Sequence, residues 1–146
     1  MATLPPVTDT IARFVTEAEL SAVPAKTRIN ATLHILDVLG VALAGVSTPP
    51  AEIAVDYCKR LGVSTEASIW GTHAKASVST AAFANGLLPH ALDFDDWDAF
   101  IHVGHPTSML IGAALPLAEK IGASGKDLLK AYVLSIEVIC KIAANC

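Results

Sequence analysis

Apolar residues recur along this chain at intervals of three and four, a pattern that predicts helices almost throughout. After Pro5-Pro6, Thr8 or Asp9 is placed to cap a short helix with Ile11, Phe14 and Val15 on one face. A second helix begins near Pro24, whose missing N–H suits a first turn, and ends at Gly45. Ile29, Leu33, Leu36 and Leu43 give it one apolar face, and Ile35, Val38 and Val41 make the other apolar too. A helix apolar on most sides is expected in an interior. Thr48-Pro49-Pro50 opens a third helix, with Ile53, Ala54, Tyr57 and Leu61 as its expected buried side and Gly62 as its stop.

Ala67-Ser68-Ile69-Trp70-Gly71 is the one stretch that reads as a short strand or extended loop. Ser77 or Ser79 then caps a fourth helix, whose small residues Ala81 and Ala82 would let another helix approach closely. Pro89 lacks the donor for a bond to the Asn85 carbonyl, so this helix should kink or stop just before His90. The pattern from Asp98 to Gly104 is irregular and reads as a loop. Pro106 opens a fifth helix, with Pro116 as an expected kink and Gly122 as its stop. Ser124 and Asp127 resemble a capping box for a sixth, carrying Leu128, Leu129, Tyr132, Val133 and Ile136. The summed reading is all-α, about six helices with at most one short extended segment, forming one domain or one piece of a larger one.

Composition sharpens that picture. Only 16% of the 146 residues are charged, against about 25% in an average soluble domain, and mean hydropathy is +0.52. The chain therefore either spans a membrane or buries its helices against something beyond itself. The most apolar run, Val38 to Val46, is far short of the roughly 20 residues a spanning helix needs. The N-terminus shows no basic-then-apolar secretory pattern. The excess apolarity is read as surface for a larger fold or a partner subunit, with no membrane association expected. A net charge of −4 without a basic cluster excludes a nucleic-acid binder. Cys58, Cys140 and Cys146 have no zinc or iron–sulfur spacing, and reduced cytoplasmic thiols are the expectation.

Candidate chemistry gathers between Asn85 and Ser108. This stretch holds Asp93, Asp95, Asp96 and Asp98 together with His90, His102 and His105. Carboxylates and imidazoles in an apolar setting are the usual material of a proton-transfer site. An EF-hand loop starting at Asp93 would need glycine and glutamate where the chain has Asp98 and Gly104, so that reading fails. A prenyl-diphosphate motif fails as well, because Ala99 falls where it needs an acid. On a helix His90 would share a face with Asp93, and Asp93 with Asp96. His105 precedes Pro106 at a helix start, where free N–H groups favour a substrate carboxylate. Asp95 and Asp98 read as a solvated helix end. His34 reads as a hydrogen-bonded core histidine, His73 as an unmarked loop residue, and Trp70 and Trp97 as packing residues. His102 reads equally as a site residue or an exposed loop residue.

Five blocks in order carry a family resemblance: Asp37-Val-Leu-Gly-Val-Ala-Leu-Ala-Gly45, Ala81-Ala-Phe-Ala-Asn-Gly86, His90-Ala-Leu-Asp-Phe-Asp-Asp96, His105-Pro-Thr107 and Gly122-Ala-Ser-Gly-Lys-Asp-Leu-Leu129. Together they resemble the MmgE/PrpD family, whose activities include 2-methylcitrate dehydration, cis-aconitate decarboxylation and iminodisuccinate epimerisation. The resemblance implies that residues 1–146 are the N-terminal part of a helical domain, in an enzyme that is usually a homodimer with its site in an interdomain cleft. It implies metal-free and cofactor-free acid/base chemistry beside a carboxylate of a small di- or tricarboxylate. Asp93 and His105 are the implied catalytic pair, with His90, Asp96, Trp97, His102 and Thr107 around the substrate. A 2-methylcitrate dehydratase-like lyase is the leading expectation. An expectation of another class is a non-catalytic helical module that folds with a partner or as a dimer.

Overall fold

A computed structural model describes residues 6–62, 64–98 and 104–145. Among them are six helices: α1 (Val7–Glu17), α2 (Ala25–Gly45), α3 (Pro49–Arg60), α4 (Val78–His90), α5 (Pro106–Ile121) and α6 (Gly125–Ala143). The predicted extended segment is β1 (Ala67–Ser68). It pairs antiparallel with a second short strand, β2 (Lys75–Ala76), which the hydrophobic pattern did not foretell. The fold is all-α with this one small hairpin. Local signals act as expected at several ends. Thr80 N–H donates to the Ser77 hydroxyl at the start of α4, and Ser124 and Asp127 form a reciprocal capping box on α6. Gly122 closes α5 at φ 67°, a left-handed position that suits glycine. Pro116 does not interrupt α5, which runs unbroken from Pro106.

α4 and α5 form the central pair, and small residues bring them together. A Cβ added to Gly112 of α5 would lie 2.7 Å from the Gly86 Cα and backbone N of α4. Ala81, Ala84 and Leu88 of α4 lie in one core cluster with Ala42 of α2, Val55 and Cys58 of α3, and Ile69 beside the hairpin. A second cluster joins Ala31 and Val38 of α2, Ile111 of α5 and Tyr132 of α6. Asn85, fully buried in α4, ties the hairpin down: its Oδ1 accepts from Trp70 N–H and its Nδ2 donates to the Ser68 carbonyl. A buried amide is tolerable because both its polar atoms are partnered.

Two expectations about burial are corrected. On α3 the buried side is Ala51, Ala54, Val55 and Cys58, while Ile53, Tyr57 and Leu61 face out. On α2 only Ala31, Val38, Ala42 and Gly45 are buried, and Ile29, Leu33, Leu36 and Leu43 are exposed, so α2 is no interior helix here. Likewise α1, with Phe14 and Val15, buries no residue. The reason is shared. Helices within the chain pack closely through alanine, glycine and cysteine, which leaves the bulkier stripes outward. α2 is also long and apolar enough to cross a bilayer by length and composition; in this structure its small-residue face packs on α4, α5 and α6.

The close α4–α5 approach makes opposite predictions for two glycines. Gly112→Ala drives a methyl into the Gly86 backbone, which cannot swing aside as a side chain would, and is expected to cost about 1–3 kcal/mol. Gly40, within α2, has nothing within 4 Å of an added Cβ. Gly40→Ala should therefore stabilise by about 0.5–1 kcal/mol through helix propensity alone. Urea unfolding of the two variants checks the sign of each.

Candidate active site

α4 ends at His90 because Pro89 occupies its last turn and the chain then reverses. Asp93 N–H donates to the His90 carbonyl (3.0 Å), and Asp93 adopts φ 55°, a left-handed conformation that aspartate tolerates better than most residues. The turn, rather than a shared helix face, brings Asp93 to His90, with Asp93 Oδ1 4.0 Å from His90 Nδ1. Asp93 and Asp96 consequently diverge, contrary to the helical spacing argument. Asp98 N–H donates to the Gly104 carbonyl (2.9 Å). His102, and the loop expected from Asp98 to Gly104, fall largely on residues 99–103, outside the described residues.

His105 is the residue preceding the first turn of α5, as expected, and its ring is enclosed on several sides. Its Nε2 stands 3.5 Å from Asp93 Oδ1 and its Nδ1 stands 3.1 Å from Asp95 Oδ1. The His90 ring lies edge-on at 4.5 Å between centroids and the Trp97 ring edge-on at 5.2 Å. Asp93 and His105, the implied catalytic pair, are therefore together. Asp93 and Trp97 are exposed, the His90 side chain is half-exposed, and His105 is largely covered. Among the described residues, concavities lie by α1–α2–α6, by α3–α4 and at the hairpin–α5–α6 junction, and the cluster lines none of these.

Asp95 corrects the sequence reading most directly. Expected in solvent, its side chain is completely buried, and Oδ1 accepts a hydrogen bond from His90 Nδ1 at 3.1 Å. Burial alone would push its carboxyl up. The hydrogen bond from His90, the nearby Ser108 hydroxyl and the charge of His105 outweigh that and hold it below the usual aspartate range. No spacing signal marks Asp95 as different from its neighbours; only the turn after Pro89 folds it inward. His90, Asp93, Asp95 and His105 each offer a ligand atom within 4.8 Å of the others, so these four residues have the donor set to hold a metal ion.

The expected anion site at the start of α5 is already filled from within. Pro106 has no N–H, Thr107 N–H donates to Asp96 Oδ1 (3.1 Å), and Thr107 Oγ1 donates to Asp96 Oδ2 (2.7 Å). Asp96 and Thr107, both expected around the substrate, thus hold each other, and Thr107 is buried. Tyr132 lies 2.6 Å from Thr107 Oγ1 and 3.1 Å from His34 Nδ1. Since the Thr107 hydrogen goes to Asp96, Tyr132 must donate to Thr107, and His34 must donate through Nδ1 to Tyr132. Burial pushes the Tyr132 phenol up to about 12, partly offset by the Thr107 bond, so it keeps its proton. His34 is hydrogen-bonded as expected, but it is an exposed residue facing Tyr132 of α6 rather than a core one.

The profile of the MmgE/PrpD N-terminal domain matches residues 9–146. The chain belongs to the MmgE/PrpD family. Among curated MmgE/PrpD relatives, cis-aconitate decarboxylases from Homo sapiens and Mus musculus are each 36% identical over 109 residues, covering 71% of this chain. The chain spans 22% of the length of those two relatives.

Two outcomes test the site's construction. Asp96→Ala removes the acceptor for the first free N–H of α5 and should cost about 1–2 kcal/mol in urea unfolding, the range of a lost helix cap. Asp95 has a folded-state value below its unfolded one, so its stabilising contribution is fully present above the ordinary aspartate value of about 4. That contribution is lost as the pH falls through the lower folded value. Asp95→Asn should therefore lower stability at neutral pH and flatten the loss of stability on acidification, measured by unfolding across the acid range.

Proposed function

We propose that this chain carries the acid/base half of a lyase site acting on a small di- or tricarboxylate. The observation behind this reading is the meeting of Asp93 and His105 at 3.5 Å in a member of the MmgE/PrpD family. In the proposed reaction His105 Nε2 carries the proton, taking it from a carbon beside a carboxylate or delivering it to a departing hydroxyl. Asp93 assists the ring or binds the substrate through a shared proton. Trp97 flanks the ring and forms an exposed wall for the substrate's carbon skeleton. Further sequence or a second subunit supplies the opposite wall of the cleft, with the cationic groups that bind the substrate carboxylates.

Dehydration of a 2-methylcitrate-like substrate is the first reading. Elimination of water needs one group to remove the carbon-bound proton and one to protonate the hydroxyl, and the paired acid and imidazole fit that need. The named activity of the relatives supports a second reading, decarboxylation, in which carbon dioxide leaves and the same imidazole protonates the carbon left behind. A cytoplasmic homodimer without metal completes the proposal. The alternative of a non-catalytic helical module draws on the exposed apolar stripes of α2 and α3.

Assays of the complete enzyme on 2-methylcitrate, cis-aconitate and related carboxylates test the reading. His105→Ala and Asp93→Asn are each expected to reduce turnover on the order of a hundredfold or more. Asp93 is exposed, so Asp93→Asn should leave stability within about 0.5 kcal/mol. Normal turnover in the His105 variant would overturn the assignment, and absence of turnover on every carboxylate by the wild-type enzyme would favour the module.

A further inference from the structure

Asp95 has no place in the proton transfer just described, yet it is the most deeply buried acid of the site. One oxygen, Oδ1, lies 3.1 Å from Nδ1 of His90 and 3.1 Å from Nδ1 of His105. The His90 contact is an aligned hydrogen bond; the His105 contact is at ion-pair distance only, and neither His105 Nδ1 nor Asp95 Oδ2 has a hydrogen-bond partner. A carboxylate removed from water needs compensating charge or donors. Among the described residues, the two imidazoles are the only ion-pairing partners Asp95 has.

We propose that Asp95 is the positioning residue of this site, its carboxylate holding both imidazoles with Nδ1 protonated and turned inward. A carboxylate only accepts, so a nitrogen facing it is favoured as N–H. At His105 two carboxylates compete, and buried Asp95 at 3.1 Å from Nδ1 outweighs water-exposed Asp93 at 3.5 Å from Nε2. Inward Nδ1 leaves Nε2 of His105 facing out toward exposed Asp93, the side open to substrate. One buried oxygen thereby sets the orientation of both rings at once, from the end of α4 and the start of α5. Asp95 itself stays out of contact with substrate. This role rests on the acid/base reading of His105, but its direct test does not depend on turnover.

Long-range proton–nitrogen NMR of the full chain, with imidazole nitrogens labelled, reads which ring nitrogen carries hydrogen. In the wild type, neutral His90 and His105 are both expected to be Nδ1–H. Asp95→Ala removes the acceptor, and both rings should shift toward the Nε2–H form. In the complete enzyme Asp95→Ala should lower kcat between about a hundredfold and ten-thousandfold, the scale of lost tautomer control, with KM little changed. Predominant Nε2–H at His105 in the wild type would overturn the proposal, and so would unchanged tautomers in the variant. If Asp95→Ala fails to fold, the wild-type spectrum alone decides. If the enzyme turns over no carboxylate while both rings are Nδ1–H, the functional reading fails and the positioning role stands.

Discussion

Backbone-to-backbone contact between α4 and α5 at Gly86 and Gly112 is the constraint from which the site follows. The two helices run antiparallel, so the end of α4 and the start of α5 come out at the same edge of the pair. His90 closes one helix and His105 stands just before the other, and their rings meet at 4.5 Å. A side chain larger than hydrogen at Gly112 would push the axes apart, and the rings with them. The imidazole pair is thus a product of helix packing some way from the chemistry.

A hydrogen-bonded chain then secures the loop between those helices. It runs from His34 on α2 through Tyr132 on α6 and Thr107 on α5 to Asp96, each group donating to the next. Every donor in it is used once, and the raised Tyr132 value keeps the middle link protonated. Three helices therefore bear on one carboxylate, and that carboxylate holds the acidic loop against the start of α5. With Asp96 held there, the preceding acid, Asp95, is turned under the rings, while Asp93 is left exposed beside them.

Burial in this chain sorts by size. On α2 and α3 alanine, glycine, valine and cysteine line the contacts between helices, while isoleucine, leucine and tyrosine lie outward, joined by Phe14 of α1 and Phe83 of α4. Small residues let helix axes approach and gain dispersion from backbone atoms, but they remove little apolar surface from water per residue. The outward stripes are apolar surface of the kind that larger assemblies cover. Tyr57 and Phe83 meet edge-on at 6.0 Å across the α3–α4 side of that surface.

Period, caps and prolines were enough to place the six helices, because helix formation and termination depend on residues within one or two turns. The hairpin's second strand was invisible, since Lys75 and Ala76 become a strand only by pairing with Ala67 and Ser68 and by Asn85 holding that hairpin. Periodicity found the apolar stripes of α2 and α3 yet could not say which stripe faces the chain's own core, because that depends on which neighbour comes close. The ordered blocks identified the family and singled out Asp93 and His105. Four aspartates within six positions were chemically alike on paper. Tertiary structure alone made them different, burying Asp95 under two imidazoles, giving Asp96 to a helix start, and leaving Asp93 exposed beside His105, since a carboxylate's role is set by the donors and the water around it.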